Sequence, residues 1–146
     1  MHIEQIRDPI TLDGRVDEPI WEEVAMLPLI QYGPYYHGEF AERSELRVAY
    51  DDRYIYFSCR CYDSDPSGIQ VTSFKRDGWN SAFDQMAVIL DTFDDNENAL
   101  VFVVSSVGVR IDVAIFNDAN ITTTEFPINM SWDTFWDVET SITEEG

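Results

Sequence analysis

A chain of 146 residues, 45% hydrophobic and 14% aromatic, is written for one folded domain with a real core, and not for a disordered segment. Its formal net charge of −19 and pI near 4.1 argue against nucleic acid and anionic membranes as partners, because both are gripped by clustered Lys and Arg. Neutral ligands such as sugars, and cations, suit the surface; with Lys75 the sole lysine among nine basic residues, a salt-rich habitat suits it too, since counterions screen self-repulsion.

Taken in chain order, residues 10–12 read as a short strand closed by the turn Asp13-Gly14. Asp17 reads as the N-cap of a short helix running to about Met26, with Glu18 and Pro19 in its first turn. Trp21 and Val24 would anchor that helix on the core, and Pro28 ends it. Residues 29–44, with Gly33, Pro34, Tyr35, Tyr36, His37 and Gly38, read as an irregular aromatic loop.

Residues 45–50 and 54–62 form a predicted hairpin around the polar turn Asp51-Asp52-Arg53. In its second arm Tyr54, Tyr56, Ser58, Arg60 and Tyr62 alternate with Ile55, Phe57, Cys59 and Cys61, the period of two that marks a strand. Cys59 and Cys61 should lie about 6.6 Å apart at Cα, near the upper limit for a disulfide, and are expected as two small buried thiols on one face. The turn at 63–68 cannot continue the strand. Residues 69–74 read as a strand or connector, and 85–90 as a strongly apolar, central strand. Strands at 99–106 and 110–116 flank Ser106-Val107-Gly108; a polar loop spans 117–132, and 135–142 is one more strand. That strand runs into Thr143-Glu144-Glu145-Gly146, a turn with no strand after it, which is expected of a domain cut from a longer protein. An open sheet edge left by such a cut could pair two copies into a homodimer. No 20-residue apolar run and no apolar leader occur in the sequence.

The segments ITLDGRVDEPIW (10–21), LRVAYDDRYIYFSCRCYDSDP (46–66), FDQMAVILDTFDD (83–95), VSSVGVRIDVAIFND (104–118) and WDVETSITEEG (136–146) together resemble carbohydrate-binding modules of family 9, in the branch found at the N-terminus of bacterial outer-membrane proteins. The resemblance implies an all-β, jelly-roll-like β-sandwich with one short N-terminal helix, a single domain over 1–146. It also implies export to the periplasm, the outer membrane or the medium, with the rest of a parent chain as neighbour. In sugar-binding members two tryptophans sandwich a terminal sugar. Trp79 matches one, and the other would lie past Gly146. The family's hydrogen-bonding Glu falls at Ala87, and its Arg and Asn near Val103 and Ser105, so that polar shell does not carry over.

Sugar recognition needs flat aromatic faces and a few polar groups. Trp79, Asp84, Tyr35, Tyr36 and Trp132 are the ligand-binding candidates, with Trp136 assigned to the core. Asp63 and Asp65 open a turn with the first spacing of a calcium loop, although Phe74 holds its closing position; Asp91 and Asp94 belong to a second acidic turn, so a bound Ca2+ is a further expectation. No nucleophile elbow, His-Glu-x-x-His or phosphate loop occurs. The expected function is non-catalytic binding of xylan- or cellulose-type oligosaccharide or polysaccharide ends, on a parent that could be a glycoside hydrolase. The alternative is a structural or interaction domain of an outer-membrane protein without a sugar site.

Overall fold

The computed structural model describes residues 2–69, 76, 84–120 and 127–146. Those residues are β-rich, with seven strands in two sheets and one turn of α-helix. They fall into two compact units, Met1–Gly68 with Ser141–Gly146, and Ile69–Thr140.

In the first unit, β1 (Glu4–Gln5), β2 (Ser44–Tyr50) and β3 (Ile55–Cys61) form a sheet in that order. β2 and β3 are the expected hairpin, antiparallel from Ser44 opposite Cys61 to Tyr50 opposite Ile55. The turn closes because Asp51 Oδ1 accepts the N–H groups of Arg53 and Tyr54, each at 2.7 Å, a side chain standing in for backbone. β1 adds in parallel on the other side of β2. The helix α1 (Ile20–Glu23) is a single turn. Its Trp21, with Val24, Ile6 and Ala49, makes the buried core, against which Ile10, Val16, Ile20 and Tyr56 pack.

Two expectations are corrected in this unit. Residues 10–12 form no strand, because the Thr11 N–H goes to the Glu18 carboxylate at 2.8 Å. Asp17 does not cap the helix; Pro19 holds the cap position with no side-chain bond, and Glu18 ties the helix instead by accepting Trp21 Nε1–H at 3.1 Å. The cysteines depart as well: Cys59 is half-buried, but Cys61, at the last position of β3, is exposed.

In the second unit, β4 (Gln85–Leu90), β5 (Ala99–Ser105), β6 (Arg110–Ile115) and β7 (Ile128–Asn129) form an antiparallel sheet in chain order. Val101, Val103, Ile111 and Val113 are its buried core, with Ile115 and Ile128 against them. The apolar β4 was expected at the centre. Among the described residues it is an end strand, its Met86, Val88 and Leu90 half-buried while Ala87 and Ile89 face outward. The short β7 lies inside the stretch read as polar loop.

Residues 135–142 form no ladder, which corrects the last predicted strand. From 131 to 140, exposure nevertheless alternates residue by residue, even positions half-buried and odd ones exposed. Trp132 and Trp136 meet the Phe102 ring edge-on, with centroids at 6.0 and 5.3 Å. Between them the Thr134 N–H reaches Asp112 at 2.8 Å, and Arg110 donates to the Trp136 carbonyl. Side chains, and not a ladder, hold this strap on β5 and β6.

Candidate functional site

Exposed aromatic side chains gather in the first unit on the loop between α1 and β2. The His37 N–H bonds the Gln31 carbonyl and the Gly38 N–H bonds the Tyr35 carbonyl, both at 2.9 Å. Gly38 is required for that closure, since a Cβ there would stand 2.9 Å from the Tyr35 oxygen. The loop carries Tyr32, Tyr35 and Tyr36, which are 86%, 77% and 67% exposed. Tyr36 lies edge-on to Tyr32 at 6.1 Å and to the His37 ring at 4.3 Å. In these T-shaped contacts the edge of one ring meets the face of another, yet the three tyrosines stay largely in solvent, beside phenol groups that both donate and accept.

Tyr35 and Tyr36 are thus brought together. Tyr32, missed in the sequence reading, joins them; its place directly before Gly33-Pro34 was the available signal. Trp132 belongs to the second unit. There it lines a groove of about 340 Å³ with Phe93, Phe116, Leu100 and Ile115, Asn98 being one of the few polar side chains. Asp84 is exposed at the head of β4, where its carbonyl accepts the Ser106 N–H at 3.2 Å. Trp79 lies outside the described residues.

The three positions that stand for the family's polar shell offer little to a ligand. Ala87 is apolar, and Val103 is 1% exposed. Ser105 is buried, and its Oγ accepts the Val107 and Val109 N–H groups at 3.4 and 3.1 Å to shape the β5–β6 turn.

The acidic turns are built by carboxylate-to-amide bonds. Asp63 Oδ1 accepts the Asp65 N–H at 2.7 Å, and Asp65 accepts the Ser67 hydroxyl at 2.5 Å. Asp91 accepts the N–H groups of Phe93, Asp95 and Asn96. Asp94, in the same turn, takes a left-handed φ of 53°. Asp95 accepts from the Asn98 side chain at 2.7 Å and from the Asn98 and Glu97 amides, in that order the causes that hold its carboxyl below the usual range. Among the described residues, no three His, Cys, Asp or Glu side chains gather where they could hold a metal ion. A cation bound at either turn would therefore compete with amides for the same oxygens.

No protein-family model, curated protein or solved structure matches this chain. Among the described residues no helix is long and apolar enough to cross a membrane.

Proposed function

We propose that this chain is a non-catalytic carbohydrate-binding module, taking xylan- or cellulose-type oligosaccharide ends on the Tyr32, Tyr35 and Tyr36 loop. One observation carries the reading: three tyrosines on one loop each leave two thirds or more of their surface in solvent. Grouped exposed aromatic surface marks a contact site, and the apolar face of a sugar ring fits it. In this reading the fold is a jelly-roll-like β-sandwich of the family 9 type, a reading supported by two antiparallel-rich sheets and, among the described residues, a single turn of α-helix. The module is exported and acts for a larger parent chain by holding polysaccharide near it.

Calorimetric titration with xylo- and cello-oligosaccharides tests this. Saturable binding should weaken about tenfold in Tyr35→Ala and in Tyr36→Ala, the loss of about 1.4 kcal/mol of stacking and burial. Folding stability should stay within about 0.5 kcal/mol, because neither ring is buried. Unchanged affinity in both variants would remove the loop from the site.

A second reading, a structural or interaction domain without a sugar site, is favoured by the buried, apolar or spent groups at Ala87, Val103 and Ser105. A flat response across the whole sugar panel would select it.

A further inference from the structure

Within the second unit, Trp132 and Trp136 close over Phe102, which stands opposite Asp112. The next cross-strand pair on the same face, Leu100 and Ala114, is only half-buried and lines the groove of about 340 Å³ that Trp132 borders. Three rings from three separate segments line this groove: Phe93 from the turn between β4 and β5, Phe116 just after β6, and Trp132 near the start of the strap. Phe93 is 73% exposed, and the other two are half-buried.

Acidic residues are tied directly to that lining. The Phe93 N–H bonds Asp91 at 3.2 Å, and the Asn98 side chain donates to Asp95 at 2.7 Å. The Asp118 N–H bonds the Glu97 carbonyl at 2.8 Å, so the segment after Phe116 joins the same turn. Residues 91–100 and 114–120 hold Asp91, Asp94, Asp95, Glu97 and Asp118, and no Lys or Arg. An aromatic groove thus meets a field of one sign.

These facts separate the classes of ligand. An anion is repelled. A sugar asks for several convergent polar groups, whereas Asn98, one of the few here, already spends its amide nitrogen on Asp95. A primary ammonium brings three N–H donors that need acceptors, and Asp91 and Asp95 already accept amide N–H groups. A quaternary ammonium carries its charge without an N–H. Aromatic rings within about 6 Å attract it, and nearby carboxylates draw it in without bonding it.

We propose that this groove binds a small quaternary ammonium ion bearing a short apolar chain. The cationic head sits among Phe93, Phe116 and Trp132 beside the acidic turn, and the chain lies on Leu100 and Ala114. The site uses no residue of the tyrosine loop, so it stands whether or not a sugar binds there.

Calorimetric titration of the whole chain with hexyltrimethylammonium, hexanol and hexanoate, in about 0.15 M salt to screen the diffuse charge, tests this. The three probes share one chain and differ in the head. The cation should bind saturably and at least about tenfold tighter than hexanol, with hexanoate weakest. Phe93→Leu, altered at an exposed position, keeps apolar bulk and removes a ring; it should weaken the cation about three- to fivefold and change hexanol less. Nuclear Overhauser contacts should run from the N-methyl protons to the rings of Phe93, Phe116 and Trp132. Hexanol held as tightly as the cation, no saturable binding, unchanged affinity in Phe93→Leu, or N-methyl contacts to the tyrosines instead each overturns the proposal.

Discussion

Thr134 donates its backbone N–H to Oδ2 of Asp112 over 2.8 Å, and Asp112 is 1% exposed. The other carboxylate oxygen takes Arg76 Nη2–H at 2.7 Å, and the same nitrogen reaches Asp133 at 2.5 Å. A buried charge survives in a sheet only when paired and hydrogen-bonded, and this one is both. The arrangement fixes the strap to the middle of β6.

Asp112→Ala should therefore destabilise the protein by about 2–4 kcal/mol, because it leaves the Thr134 amide without an acceptor and takes a buried partner from Arg76. Asp133→Ala removes an exposed partner of the same guanidinium and should cost less than about 1 kcal/mol. Urea denaturation of both variants checks the ranking; equal midpoints would mean that burial of Asp112 contributes nothing special.

Acid should weaken the hairpin of β2 and β3. The hydrogen bond from Arg47, more than the charges of Arg43 and Arg47 or the Tyr62 hydroxyl, holds the Glu45 carboxyl below its usual range against the opposing effect of burial. The amides of Arg53 and then Tyr54 do the same for Asp51. A carboxyl whose pKa is lower folded than unfolded contributes stability that is fully present above the unfolded value, about pH 4, and is lost as pH falls through the folded value. Relief of self-repulsion in so acidic a chain runs the other way, so the comparison with Glu45→Gln isolates the effect. The gap in urea midpoint between wild type and Glu45→Gln should be constant from pH 7 to about 5 and shrink below about 4; a gap that does not shrink contradicts the assignment.

Gly146 has φ of +132°, and a Cβ there would overlap the Cys61 carbonyl oxygen and stand 2.9 Å from the Asp63 nitrogen. Backbone atoms cannot yield as a flexible side chain does. Gly146→Ala should push the 143–146 turn away and break the bond from the Asp63 N–H to the Glu145 carbonyl, 2.8 Å long in the native turn. Local protection should fall by about 1–2 kcal/mol, read as roughly tenfold faster hydrogen exchange at the Asp63 amide. Unaltered exchange there would show that the turn is not seated on β3.

The hairpin of β2 and β3 was legible because polar and apolar types alternate through Tyr62 and Asp51 sits where a turn needs a side-chain acceptor. β4 was legible as an apolar run, and β4, β5 and β6 were each found within one residue of their predicted limits. The helix boundary was not, since Asp17 has cap chemistry but Glu18 has the partners. The central place of β4 was misjudged because apolar composition reports that a strand packs, without telling one covered face from two. Residues 135–140, the larger part of the last predicted strand, show the limit most clearly: their period of two is real, but it registers alternate burial against a sheet face, a signal that sequence cannot separate from a ladder. For the candidate site, the Gly-Pro turn disclosed the tyrosine loop, whereas the groove at Trp132 depends on Phe93 and Phe116, which are far from it in sequence.

The strap from 131 to 140 divides its residues into two populations. Trp132, Thr134 and Trp136 answer to the sheet beneath them, while Asp133, Phe135 and Asp137 answer mainly to solvent. Phe135 is fully exposed, so its side chain can be exchanged with little effect on the packing below. Phe135 is thus open for evolution to rewrite, whereas Asp133 and Asp137 are held by their pairing with Arg76 and Arg110, so a new recognition surface can start from this one ring without disturbing the fold that carries it.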